Sequence, residues 1–128
     1  MATILVVDDS TANVELMDTI FTKEGHEVLK AHNGQAGLEI IKARKGQIDI
    51  LITDTNMPVL GGVDLIKKVK REFPHIKTIL TSLSFEVAAL AQEAGADRYL
   101  IRNGNIPDIL TLVGELLAEI SKSENEGG

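Results

Sequence analysis

The sequence predicts an α/β protein, a three-layer α/β/α sandwich with a five-stranded parallel sheet flanked by five helices, and three observations carry that prediction. Short aliphatic and β-branched runs alternate along the 128 residues with stretches whose apolar residues fall at helical spacing. The segments between them are short, so each strand–helix–strand unit closes as a right-handed crossover between parallel strands. The two most apolar runs, at residues 3–7 and 48–53, read as strands buried on both faces. Placing them side by side at the centre gives the strand order 2-1-3-4-5, with a switch point between the first and third strands.

The first strand, Thr3-Ile4-Leu5-Val6-Val7, is followed by Ser10, a helix cap, and by Val14, Met17, Ile20 and Phe21 at helical spacing, stopping at Gly25. Glu27 to Ala31 is a more polar strand, suited to an edge, and Asn33-Gly34 turns into a helix with Leu38, Ile40 and Ile41. Ile48 to Thr53 is the third strand. A loop with Pro58 and Gly61-Gly62 leads to a helix carrying Val63, Leu65, Ile66 and Val69. Thr78 to Thr81 is the fourth strand, Ser84 is read as the cap of a helix ending at Gly95, and Arg98 to Ile101 is the fifth strand. Pro107 suits the first turn of a last helix with Ile109, Leu112, Val113, Leu116 and Ile120 on its inner stripe. Residues 1–121 are expected to form one domain. Residues 122–128 are expected to be a frayed polar tail, whether a natural end, a linker or a cloning remnant.

Composition narrows the chemistry. The chain has no cysteine, which excludes disulfides, thiolate metal sites and cysteine nucleophiles. Nineteen acids against thirteen bases leave a net charge of −6, the wrong sign for general nucleic-acid binding, and aromatics at 3% argue against base stacking. The basic run Lys67-Lys68-Val69-Lys70-Arg71 reads as a solvated helix face, and His26, His32 and His75 show no ligand spacing. The amino-terminal apolar run is too short for a signal peptide or a membrane span, so no membrane insertion and a cytoplasmic location are expected.

In an open α/β sheet, ligands bind beyond the carboxyl ends of the strands. There the first strand ends in Asp8-Asp9, the third in Asp54, the fourth in Thr81-Ser82 and the fifth in Arg102. Asp and Ser after a strand also serve as ordinary helix caps. A third Asp ending the neighbouring central strand shifts the balance, because carboxylates that close repel unless a cation sits among them. Hard oxygen ligands without His or Cys point to Mg²⁺, with Mn²⁺ as the alternative, sharing its shell with a phosphoryl group. Arg102 can grip such a group with two N–H donors, Thr81 can offer it a hydroxyl, and Asp54 can attack phosphorus to form an acyl phosphate.

The motifs VVDDS at 6–10, DTNMP at 54–58, ILTS at 79–82 and GADRYLIR at 95–102 resemble those of the receiver domains of two-component response regulators, CheY-like and flavodoxin-like in fold. The resemblance spans Thr3 to Ile120 and implies the same 2-1-3-4-5 order. It also implies a phosphoacceptor, Asp54, charged by a histidine kinase or phosphotransfer protein. Asp9, Asp54 and the backbone carbonyl of Asn56 would bind Mg²⁺ directly, with Asp8 acting mainly through water. Thr81 would move toward the phosphoryl group and Tyr99 would swing inward in response. Such a protein is a phosphoacceptor with at most slow self-dephosphorylation, not an enzyme. One departure stands out: the family's usual Lys-Pro after the fifth strand is Arg102-Asn103 here. Without Pro a trans peptide and an altered loop are expected, and Arg102 either replaces the lysine at the phosphoryl group or points to solvent.

The surface expected to respond is the fourth helix, fifth strand and fifth helix. Phe85, Val87, Ala88, Ala89, Leu90 and Ala91 make the fourth helix apolar nearly all round, and Leu110 and Leu117 stand off the core stripe of the last one. These residues suit a downstream protein target, a fused output domain or a homodimer; the competing reading is a helix more deeply buried. Three rival functions stay open: a degenerate, phosphorylation-independent interaction module, a Mg²⁺-dependent phosphohydrolase and a nucleotide or flavin binder. The second expects an acid/base Asp where Asn56 stands, and the third expects a phosphate-cradling first loop where the acidic DDS stands.

Overall fold

The computed structural model describes residues 1–102 and 106–127. Its elements run β1 (Thr3–Val7), α1 (Thr11–Lys23), β2 (Glu27–Ala31), α2 (Gly34–Ala43), β3 (Ile50–Asp54), α3 (Gly62–Glu72), β4 (Lys77–Ser82), α4 (Val87–Ala94), β5 (Arg98–Ile101) and α5 (Ile106–Gly127). All five strands are parallel, in the order β2-β1-β3-β4-β5. The apolar β1 and β3 are neighbours inside the sheet, and the more polar β2 is an edge, as the pattern of each requires.

Strand pleating divides the core in two. Ile4, Val6, Ile50, Ile52 and Ile79 face α1 and α5, packing with Val14, Phe21, Ile109, Val113 and Leu116. Leu5, Val7, Leu51 and Leu80 face the other way, against Leu38, Ile41, Leu65, Ile66, Val69, Val87 and Ala91 of α2, α3 and α4. Each fully buried aliphatic side chain stabilises the fold by roughly 1.5–3 kcal/mol. This packing holds the carboxyl ends of β1, β3, β4 and β5 along one rim.

Four local expectations change. β3 begins at Ile50 rather than Ile48, and its last residue is Asp54. Ser84 does not cap α4: its hydroxyl accepts the Glu86 N–H in a tight turn, and the helix starts at Val87 without a side-chain cap. The tail from Ser121 continues α5 as helix through Gly127. The basic run is not uniformly solvated, because Lys70 is half-buried and bonds both the Asp97 carboxylate at 2.5 Å and the Ile76 carbonyl at 2.9 Å. The peptide joining Arg102 to Asn103, the loop to Asn105 and Gly128 lie outside the described residues.

Candidate functional site

Two strands deliver the three acidic side chains. β1 ends at Val7, so Asp8 and Asp9 emerge just past its carboxyl end, and Asp54 closes β3 alongside. One carboxylate oxygen from each of Asp8, Asp9 and Asp54 lies within 4.8 Å of the others. Asp8 and Asp54 are buried, and Asp9 is exposed. Local bonding fixes the two buried ones. Asp8 accepts the Ser10 N–H on Oδ1 at 2.9 Å and the Asn13 side-chain amide on Oδ2 at 3.3 Å, while the Ser10 hydroxyl caps α1 through the Asn13 N–H. Asp54 accepts the Thr55 N–H at 2.8 Å. Thr55 in turn donates its hydroxyl to the Thr81 carbonyl at 2.8 Å, tying the end of β3 to β4.

The loop after Asp54 is drawn tightly under the site. The Gly62 N–H donates to the Thr55 carbonyl at 2.9 Å. A Cβ on Gly62 would lie 2.0 Å from the Asp54 carbonyl oxygen, so this approach of α3 to β3 requires glycine. Asn56, two residues beyond Asp54, is exposed.

Thr81 pairs with Asp54 across the β3–β4 ladder and is 2% exposed; its hydroxyl donates to the Thr53 carbonyl over a long 3.4 Å. Arg102 extends β5 with an N–H to the Ser82 carbonyl, and its side chain turns inward, 18% exposed, rather than into solvent. Its guanidinium spans two acids, Nη1 donating to Asp8 Oδ2 at 3.1 Å and Nη2 to Asp54 Oδ1 at 3.4 Å, while Nε is buried without a partner among the described residues. Burial pushes the Asp54 carboxyl above the usual carboxylate range. Arg102 and the Thr55 N–H pull it down, and the charges of Asp8 and Asp9 push it up.

Two further residues belong to the site, Thr55 from within the DTNMP stretch and Asn13 from outside any motif. Asn13 matters only because the helix cap swings it onto Asp8, and Thr55 because its hydroxyl crosses to β4. The Thr55 N–H could have been anticipated, since Thr55 directly follows the acid.

The residues singled out for the responsive surface separate. Phe85 is 88% exposed, Ala88 is exposed and Tyr99 stands outward at 48% exposure, whereas Val87 and Ala91 belong to the core, so α4 is not free all round. Leu110 and Leu117 do not share that surface. Both are half-buried against the core and line a shallow groove with Phe21, Glu24 and His26, where α5 meets the end of α1. The helical stripe places them correctly off the inner line of α5, but on its α1 side.

Residues 4–114 match the family described as the response regulator receiver domain. Among curated proteins, the chain is 32% identical over 118 residues, 91% of its length, to the DNA-binding transcriptional regulator NtrC of Bradyrhizobium, of which it covers 24%. It is 29% identical over 98% of its length to the transcriptional regulatory protein CpxR of Escherichia coli K12, covering 53% of that protein. The chain thus spans about a quarter to a half of these curated relatives. Among solved structures, a CheY-like response regulator receiver domain protein from Methanospirillum hungatei superimposes with a TM-score of 0.87 at 30% identity, over 96% of this chain and 98% of that one. The response regulator TrrA of Thermotoga maritima, solved in complex with Mg²⁺–BeF, gives 0.81 at 28% identity, over 91% of this chain and 99% of that one. Among the described residues, no helix is long and apolar enough to cross a membrane.

Proposed function

The chain belongs to the response regulator receiver domain family of two-component phosphorelay signalling, and from that premise we propose that Asp54 is its phosphoacceptor. The observation that carries this reading is the meeting of Asp8, Asp9 and Asp54 oxygens within 4.8 Å at the carboxyl rim of two central strands. Three clustered acids in a partly buried hollow call for a divalent counter-ion, and a set of carboxylate oxygens without nitrogen or sulfur donors fits Mg²⁺. Asp9, Asp54 and the Asn56 carbonyl would hold it, with Asp8 acting through water. When bound, the ion offsets the negative charge that gathers around the transferring group. The Mg²⁺ of the TrrA complex supports that choice of cation.

In the proposed step an Asp54 carboxylate oxygen attacks the phosphorus of a phosphohistidine on a histidine kinase or phosphotransfer protein. The P–O bond forms as the P–N bond breaks, the electron pair leaves with the imidazole nitrogen, and that nitrogen takes up a proton. The Thr81 hydroxyl, held by one long bond to the Thr53 carbonyl, turns to the phosphoryl oxygens, and Tyr99 follows inward. The surface of α4, β5 and α5 around Phe85, Ala88 and Tyr99 reads the change, for a downstream protein or a fused output domain. The chain acts as a stoichiometric acceptor, not as an enzyme.

Intact-mass measurement after treatment with a small acyl phosphate tests the reading. One added phosphoryl group is expected with Mg²⁺, none with EDTA and none in Asp54→Asn. An unmodified wild-type chain under all conditions would assign it to the degenerate, phosphorylation-independent receivers. Continuous release of phosphate beyond one equivalent would make it a hydrolase.

A further inference from the structure

The fork of Arg102 on Asp8 and Asp54 has a consequence for the cation that the proposed function requires. We propose that Arg102 is a tethered counter-ion that competes with Mg²⁺ for the acidic pocket, so that it sets the affinity of the site for the metal; this rests on the reading of Asp8, Asp9 and Asp54 as the metal-binding acids.

The geometry supplies the competition. Nη1 and Nη2 bridge carboxylates on two different strands, at 3.1 and 3.4 Å, and both acids are among the three whose oxygens converge. The guanidinium therefore already delivers a positive charge to the pocket, and does so from a side chain only 18% exposed, where screening by water is weak. Mg²⁺ demands close, near-octahedral oxygen contacts. It draws on the same oxygens that the fork occupies, directly at Asp54 and through water at Asp8. One cation leaves as the other arrives.

The residue type matters as much as the charge. A planar guanidinium presents two donors at a fixed spacing and so spans both acids at once, whereas an ammonium is a compact point that sits on one. The fork is also incompletely satisfied among the described residues, where Nε is buried with no partner. Holding the guanidinium on the carboxylates thus leaves a desolvated donor unpaired, a cost that is relieved when the side chain moves. The two-acid grip suits a resting state that closes the pocket, and the buried Nε favours release once a divalent ion or a phosphoryl group offers a better arrangement.

Calorimetric titration of MgCl₂ into the wild-type chain, Arg102→Lys and Arg102→Gln tests this without any phosphorylation. Charge-assisted hydrogen bonds of this kind correspond to about tenfold in affinity or more. Arg102→Lys is therefore expected to bind Mg²⁺ about tenfold more tightly than wild type despite its unchanged charge, and Arg102→Gln at least as tightly as Arg102→Lys. Melting in EDTA provides the second readout: Arg102→Lys should melt below wild type, and the gap should close at saturating Mg²⁺. A Mg²⁺ affinity in Arg102→Lys within twofold of wild type overturns the competition while leaving the metal site intact. Absence of Mg²⁺ binding in wild type and both variants overturns the metal reading and the competition together.

Discussion

Burial raises the Asp54 carboxyl above its ordinary range, and the charges of Asp8 and Asp9 raise it further, while Arg102 and the Thr55 N–H oppose them without winning. The carboxylate is held at a cost to its own charge, so its environment destabilises the fold at neutral pH. The sign follows from linkage: a folded-state pKa above the unfolded value means the folded chain binds more protons, so stability falls as pH rises through that window. Asp54→Asn, which keeps one oxygen acceptor and removes the charge, is therefore expected to raise metal-free stability at pH 7 by roughly 1 kcal/mol, or a few degrees in melting temperature. Thermal unfolding in EDTA checks it; a lowered melting temperature would mean that the Arg102 fork outweighs the burial of the charge. Asp8, Asp9, Asp54, Thr81 and Arg102 were all legible because each ends or follows an apolar strand run. The Asn13 contact and the Thr55 hydroxyl bond to β4 were not, because each depends on where a neighbouring element lies.

Among the elements, α3, β4 and β5 are clipped together by a side-chain cluster around Asp97. The Asp97 carboxylate, at the entrance to β5, accepts the Thr78 N–H at 2.8 Å and the Thr78 hydroxyl at 3.1 Å, and pairs with Lys70 of α3. Burial pushes this acid up, but Lys70 and the Thr78 donors together hold it below the usual carboxylate range. Here linkage has the opposite sign: the stability is fully present above the unfolded value of about 3.9 and is lost as pH falls through the lower folded value. Asp97→Asn is expected to cost about 1–3 kcal/mol at pH 7. That deficit should shrink below about pH 4 as the wild-type acid protonates. Urea unfolding at pH 7 and in mild acid measures both, and a deficit independent of pH would assign the cost to packing instead. The basic run around Lys70 looked like a solvated face because helical periodicity says which side a residue occupies, not what a distant turn brings to it. The start of α4 departs from its sequence pattern for a related reason: Ser84 carries a cap residue's hydroxyl but spends it on a tight turn.

At the level of the molecule, the site exists because the chain reverses direction across the sheet. β1 lies between β2 and β3, so the loops leaving β1 and β3 diverge to opposite faces and leave a hollow between them. Any cation bound there links β1 to β3 and acts on the whole fold. Mg²⁺ at about a hundred times its dissociation constant is expected to stabilise the chain by about 2.7 kcal/mol. The melting temperature should rise with Mg²⁺ concentration and stay flat in a chain carrying both Asp8→Asn and Asp9→Asn. An equal rise in that variant would place the binding elsewhere.

Reading the residues in order was enough to establish the layer architecture, the central places of β1 and β3, and the acids at their ends, because strand burial and helix periodicity are local patterns written along the chain. The order 2-1-3-4-5 and the membership of a receiver family drew on four short motifs as well. Which way Arg102 turns, which side of α5 carries Leu110 and Leu117, and what holds Asp8 and Asp97 in place were decided only on folding. Each depends on atoms far apart in sequence, as with Arg102 and Asp8, brought within hydrogen-bond reach by the packing of β5 and β1 against the same core.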